Sequence, residues 1–421
     1  MASLAQKCAP YTALVVVAVL AFLPAIRGEF INWGDPASIT GNPHLRQDVF
    51  KGLVHLLTTA HEGLYTPVPL AAWWGLSRVF GINPAAFHWA NLLAHSASAA
   101  ILYGILRAVL RNSLAAFLAA AWWAVHPLHA EVVGWATALS NALALFCALL
   151  SWRFYVGWRE SPRGGRSGMM FAGALLAFLL GCLSDPAVML LPVVFAVYGR
   201  LAGRRPWKET ALALVFLFAV IPVAVIAVLV HGAGASAGEG LGIGQRLIVA
   251  IDSGLFYLEK ALWPGRLCPV YGRTVAVATA MPWIPLKLLL AAALALLAVW
   301  GGRTYRLAGV IFLVGFLPVS GIIWLKAHGY STVADRYAAF PLVGVALILG
   351  SVIRLLNSGS SSPILIKARN AVCILVAVWV GLLSLQSWNQ TRVWRNSVTV
   401  WERVVECNSS PSEEVLSNYA D

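Results

Sequence analysis

Apolar stretches long enough to cross a bilayer recur from Pro10 to Leu385, and short clusters of Arg and Lys separate them. Within hydrocarbon every backbone N–H and C=O must be satisfied inside the segment, so such stretches are helices. The rest of the composition agrees. The chain is 60% hydrophobic and 11% charged, with a mean hydropathy of +0.77. Soluble domains are about 45–50% apolar and about 25% charged. A net charge of +13 invites a nucleic-acid reading, but the basic residues form no single patch. They mark the cytoplasmic ends of spans, and no nucleic-acid partner is expected.

Taken in order, the first span is Pro10 to Ile26, with Lys7 before it and an acidic loop after it, so the N-terminus is placed in the cytoplasm. Leu23 to Arg27 is a poor cleavage site, which argues against a removed signal peptide. A first outer loop covers 28–86, and its Thr66 to Phe80 stretch is short enough to be an interfacial helix. Further spans are expected at Phe87 to Leu110, Asn112 to Val125, Thr137 to Val156, Met169 to Leu183, Ala187 to Tyr198 and Ala211 to Val230. Leu247 to Leu262 is apolar but carries Asp252, Glu259 and Lys260. If it crossed, Arg303 and Arg306 would fall outside. If it lies on the outer surface, those two and Arg354, Lys367 and Arg369 all fall inside, so the second reading is preferred. Pro282 to Trp300, Leu307 to Leu325, Phe340 to Leu355 and Ala371 to Leu385 complete about eleven stretches of roughly 15–24 residues. The expected fold class is an all-α polytopic membrane protein.

A transmembrane domain over 1–386 is followed by a tail of different character, 387–421. Trp388, Val393, Trp394, Val398, Trp401, Val404 and Val405 recur there at helical spacing among charged residues. This reads as extracytoplasmic amphipathic helix, either packed on the outer loops or opening a helical repeat array. Cys147, Cys182 and Cys373 lie in apolar spans as packing residues, whereas Cys268 and Cys407 fall on the same outer side, where a disulfide can form.

Four outer groups of polar residues can carry chemistry. The first loop holds Glu29, Asp35 and His44, with Asp35 read as an exposed acid between Trp33 and Pro36. Partial desolvation at the interface would raise its pKa and suit it to general-base work, although an Asp before Pro is also a common turn residue. His126, His129 and Glu131 share a short turn; His-x-x-His spacing can ligate a divalent metal, but zinc sites want a third protein ligand, and such a turn can equally bind phosphate or hold a neighbouring loop. Asn91 and His95 share one helix face beside His88, where interhelical hydrogen bonds explain them without a function. Lys326, His328, Asp335, Arg336 and Tyr337 form the last group, in which Arg336 suits a bidentate phosphate contact. An outer carboxylate with outer cations at a lipid boundary is the layout for transferring a group from a lipid phosphate: the acid takes the acceptor's proton and the cations hold the leaving phosphate.

FINWGDPASITGNPHL, YTPVPLAAWWGLSRVFGINPAAFHWANLLAH, AVHPLHAEVVGWATALSNALAL and ADRYAAFPLVG occur in that order. The set resembles the membrane portion of the transmembrane and tetratricopeptide-repeat O-mannosyltransferases and their bacterial relatives, glycosyltransferases of the GT-C fold. The resemblance runs from about Glu29 to the tail. It implies a lipid-linked donor, a sugar on polyprenyl or dolichyl phosphate, a protein or glycan acceptor, and Asp35 as the catalytic base. It also implies that Glu131 and the two histidines line the cavity and that Arg336 meets the lipid phosphate. Two departures stand out. Such enzymes carry a pair of acids after the Trp, where this chain has Gly34, leaving Glu29 to supply a second carboxylate, Asp35 to act alone, or the chain inactive. They also continue into several tetratricopeptide repeats. Ser184-Asp185-Pro186 places an acid where a basic residue is expected.

The alternatives are a catalytically inactive membrane scaffold or lipid-binding protein of the same fold, favoured by Gly34, and a transporter. The last is disfavoured because no internal repeat and no mid-span charge is seen. An Ala-, Gly-, Leu- and Arg-rich composition points to a bacterial plasma membrane with the site on its outer face.

Overall fold

The computed structural model describes residues 4–59, 65–162, 164–202, 206–231, 241–280, 283–322, 326–329, 331–357 and 363–408. Among them there is no β-strand. The helices are α1 (Leu4–Phe22), α2 (Val49–Thr58), α3 (Pro67–Phe80), α4 (Pro84–Leu110), α5 (Ser113–Ala124), α6 (Ala130–Gly134), α7 (Leu139–Glu160), α8 (Gly165–Cys182), α9 (Leu191–Ala202), α10 (Pro206–His231), α11 (Ile243–Leu262), α12 (Val275–Ala280), α13 (Ile284–Trp300), α14 (Arg303–Phe316), α15 (Pro341–Asn357), α16 (Pro363–Val393) and α17 (Ser397–Cys407). Each of the eleven expected apolar stretches is built around one of these helices.

Among the described residues five helical segments are long and apolar enough to cross a membrane: Gln6–Arg27, Pro84–Leu110, Ala136–Glu160, Gly165–Cys182 and Ile366–Val393. Others are apolar but shorter, such as α5, whose 12 residues rise only about 18 Å. Local signals set these ends. Asn83 and Asn112 cap α4 and α5 by accepting from the Ala85 and Ala115 amides. The expected span to Leu325 stops at Phe316, because Pro318 turns the chain into a 3₁₀ turn; residues 323–325 lie outside the described residues. Small residues let the helices close up. A Cβ on Gly350 would lie 2.6 Å from Leu110 and 3.2 Å from Ala119, and one on Gly344 2.5 Å from the Ala308 carbonyl.

Loops far apart in sequence meet at one end of the bundle. Glu29 donates its amide to the Arg395 carbonyl, His126 meets the Ala261 carbonyl, and Thr332 donates to that of Arg273. Arginines gather at the other end: Arg107 lies over Tyr103, Arg153 against Gly104, Arg159 over Tyr198, and Arg303 reaches the Leu201 carbonyl. α11 stays with the first end throughout its length. Arg246 donates to Ile322, Val249 packs on Gly321, Ser253 and Tyr257 donate to Thr332 and Ala334, and Ala261 meets His126. Its Asp252 is neutralised by Arg273 and Lys287.

The first loop has a core of its own. Ile39, Leu45, Leu70, Trp73, Phe87, Ala136 and Leu139 bury together and seat α3 beside the mouth of α7. α16 passes without a break through residue 386, where a change of domain was expected, so Trp388 and Val393 belong to the spanning helix itself. The distinct part of the tail is α17, opened by an Asn396–Thr399 capping box. The expected repeat continues into 409–421, outside the described residues.

Candidate functional site

The site begins with Trp33-Gly34-Asp35. Gly34 turns through φ +81°, and a Cβ there would lie 2.9 Å from the Trp135 ring. That turn drops Asp35 beneath the surface: it is fully buried, not exposed as the sequence suggested. One oxygen accepts from the Ile31 amide at 2.8 Å; the other accepts from the Thr137 amide at 3.0 Å and from the Thr137 hydroxyl. Burial pushes the Asp35 pKa up to about 6, against hydrogen bonds that pull it down.

Above it Trp33 stacks on Trp135 at 5.1 Å and 16°, and the Trp135 indole N–H donates to the Trp33 carbonyl at 3.0 Å. Arg336 caps this stack, its guanidinium carbon 5.5 Å from the Trp135 ring centre and 6.0 Å from that of Trp33. Thus Asp35 and Arg336, far apart in the chain, both adjoin one tryptophan pair.

Arg336 is held in a second direction by Glu131. This carboxylate is wholly buried; it accepts from the Arg336 guanidinium through one oxygen and from the Arg336 amide through the other at 2.9 Å. A further N–H of Arg336 reaches the Tyr337 hydroxyl at 3.3 Å. Asp335 turns the opposite way, accepting from the Tyr271 hydroxyl at 2.7 Å; burial, reinforced by the neighbouring Glu131 charge, raises its pKa far above the usual carboxylate range.

On its remaining side Arg336 faces a cavity of about 70 Å³ shared with Tyr337, Asn141 and Asp185 between apolar walls from α7, the turn into α9, α14 and Ala339–Phe340. Asp185, for which the sequence offered no account, caps the turn after α8 by accepting from the Ala187 amide and accepts from the Asn141 amide group at 3.0 Å. Burial raises its pKa, with Arg336 among the groups drawing it back. The volume is well below the ~300 Å³ of an ordinary ligand pocket, so the arrangement fits a small polar group between Asp185 and Arg336.

Other expected residues fall elsewhere. Glu29 is exposed, and among the described residues no hydrogen bond or ion pair joins its carboxylate to Asp35. Asn91 is a strut that donates to the Val132 and Trp135 carbonyls. His126 has both ring nitrogens committed, one to the Ala261 carbonyl and one to the Leu128 amide. His95 bonds the Ala124 carbonyl at 2.8 Å and lies 4.6 Å from the ring of His129, which packs on Trp123 with neither nitrogen hydrogen-bonded. Burial holds His129 well below its ordinary pKa. The rings of both histidines of the turn are buried in the core, and neither lines the cavity beside Arg336. Nor do they fit a metal: His126 is used up by backbone, Glu131 by Arg336, and no group of three candidate ligands is found among the described residues. His44 stacks on His55, and His88 and His328 face the Glu29 and Val319 carbonyls. Lys326 starts a 3₁₀ turn, and its side chain lies outside the described residues. Thr137, Asn141, Trp135 and Tyr271 were not singled out from sequence, and nothing in their local spacing marks them.

Fold and site together define a polytopic helical membrane protein with a buried acid–tryptophan–arginine assembly at one end. Its fold is shared with ArnT from Cupriavidus metallidurans in the apo state, with a TM-score of 0.52 over 94% of this chain and 77% of that one at 14% identity. Among curated proteins the chain is similar to the protein O-mannosyl-transferases TMTC1 of Mus musculus, 28% identical over 169 residues (37% of this chain, 17% of that protein), and Tmtc2 of Drosophila melanogaster, 28% identical over 126 residues (29% and 13%). A Caenorhabditis elegans protein O-mannosyl-transferase matches 92% of the chain at 19% identity. The matched part spans 56% of that relative and under a fifth of the other two. No family model matches the chain. The resemblance read from four ordered motifs therefore recurs in whole-sequence and whole-fold similarity.

Proposed function

We propose that this chain is a membrane glycosyltransferase that moves a sugar from a polyprenyl- or dolichyl-phosphate donor to a protein or glycan acceptor on the extracytoplasmic side of a bacterial plasma membrane. The observation that carries it is the position of Arg336: locked by Glu131, laid over the Trp33–Trp135 pair, and turned toward a cavity lined by Asp185 and Asn141. A fixed guanidinium beside a water-poor cavity is worth most to a leaving phosphate. The acceptor hydroxyl loses its proton to Asp35 as its oxygen attacks the anomeric carbon; the bond from that carbon to the phosphate oxygen breaks with inversion, and the lipid phosphate departs against Arg336. A pKa near 6 keeps Asp35 ionised yet basic at neutral pH. Reaching a substrate requires the Thr137 hydroxyl to leave it.

Replacing Asp35 by Asn tests the reading. Transfer of labelled sugar from a polyprenyl-phosphate donor should fall by two to four orders of magnitude, about the usual worth of a general base, while the protein elutes as a single detergent-solubilised species. An Asn variant with wild-type rates removes Asp35 from the mechanism.

The second reading, an inactive scaffold of the same fold, is favoured by one observation: Asp35 is buried and each of its oxygens already accepts a hydrogen bond from the protein. It expects the wild-type protein to leave every offered lipid-phosphate sugar unconsumed.

A further inference from the structure

α17 bridges two outer loops. At its beginning Ser397 accepts from the Asn32 amide at 2.9 Å, and the Trp401 indole donates to the Asn32 side chain at 2.6 Å. At its end Arg403 donates to the Leu267 carbonyl at 3.1 Å, and Asn408 donates to that of Val270 at 2.8 Å. The first loop carries Asp35; the second leads to Tyr271, which holds Asp335, and to Arg273 on Asp252. α17 thus sets the spacing between the segments flanking the candidate site.

A pair of free thiols lies across its second contact. The sulfur of Cys268 approaches the Arg403 carbonyl at 3.7 Å, and that of Cys407 approaches the Leu267 carbonyl at 4.0 Å, so each sulfur reaches the other's segment. Their environments differ. Cys268 is buried, whereas Cys407 is half-buried at the helix end. The neighbouring Cys268 thiol, with Arg403 nearby, lowers the Cys407 pKa, and burial raises that of Cys268.

We infer that Cys268 and Cys407 form a reversible disulfide that clips α17 to the loop before α12. The oxidant is a disulfide-bearing thiol carrier of an oxidising compartment. The Cys407 thiolate attacks one sulfur of the carrier and expels its first thiolate, giving a mixed disulfide. Cys268, losing its proton to the departing side, attacks the Cys407 sulfur and expels the second. Two cysteine thiols are oxidised, one carrier disulfide becomes two thiols, and both protons end on the carrier. The bond requires this end of the bundle to face such a compartment, as proposed above.

The test uses the purified full chain in detergent, equilibrated with reduced and oxidised glutathione over a range of ratios. Thiols are then trapped with a maleimide and mapped by peptide mass. A linked peptide joining Cys268 to Cys407, lighter by two hydrogens than the reduced pair, is expected to grow with the oxidised fraction, while Cys147, Cys182 and Cys373 stay alkylated and the exposed Cys8 gains only a glutathione adduct. Both thiols alkylated at every ratio, or linkage to a different cysteine, overturns the inference. Cys268→Ser should leave Cys407 as a glutathione adduct, because nothing remains to expel the carrier; an unmodified Cys407 there removes it as the attacking thiol. Neither measurement involves sugar transfer, so this inference and the transferase reading fail separately.

Discussion

Gly34 stands where the resembling enzymes carry an acid, and its backbone explains the exchange. At φ +81°, with the Trp135 ring 2.9 Å from where a Cβ would be, any side chain is strained and displaces the tryptophan on which Arg336 rests. Gly34→Ala should cost about 1–3 kcal/mol, seen as earlier thermal unfolding in detergent. Glu131 has a different weight. Removing it leaves the Arg336 guanidinium facing a buried vacancy, so Glu131→Ala should lose on the order of 3–5 kcal/mol, by the same measurement. Asp35 governs the pH dependence. Its folded-state pKa of about 6 exceeds the 3.8 of a free carboxyl, so protonation favours the folded state. The stability contributed by this group grows as pH falls from about 6 toward 3.8, while the base form disappears over the same window. Transfer should therefore drop about tenfold per pH unit below 6, a limb seen in initial rates against pH.

Among the elements, α17 and α11 depart most from what an apolar pattern shows. α17 is amphipathic and buries Val400, Trp401 and Val404 on the outer loops, so it is a packed strap in which the periodicity of the tail finds its partner. Trp401→Ala should cost about 3–5 kcal/mol and expose the 28–48 loop to limited proteolysis, whereas Trp401→Phe, which keeps an aromatic ring but loses ring volume and the bond to Asn32, should cost less. α11 is apolar enough to pass for a span. Its charges decided against that, and Arg273 and Lys287, paired with Asp252, show how they are accommodated. The change of composition at 386 falls inside α16 for a related reason. The switch from apolar to mixed residues marks where α16 leaves lipid, and a helix needs no break to do so.

For the whole molecule, sidedness follows from which loops share an end. In intact cells a membrane-impermeant maleimide should spare the exposed Cys8 and label a Glu29→Cys variant; the reverse pattern would invert the topology. The class of fold was legible from sequence, because lipid obliges each apolar stretch to be a helix and positive charge to stay on one side. Asp35 and Arg336 were legible as residues of interest for the same reason, being polar groups just beyond spans. Their surroundings were not. Thr137, which saturates Asp35, lies 102 positions along the chain, and Glu131, which locks Arg336, lies 205. No local period encodes which loop covers which, so the sequence read the buried Asp35 as exposed. Hydropathy and charge act residue by residue and determined the bundle; hydrogen-bond partners and burial are pairwise and long-range, and only the packed structure decided them.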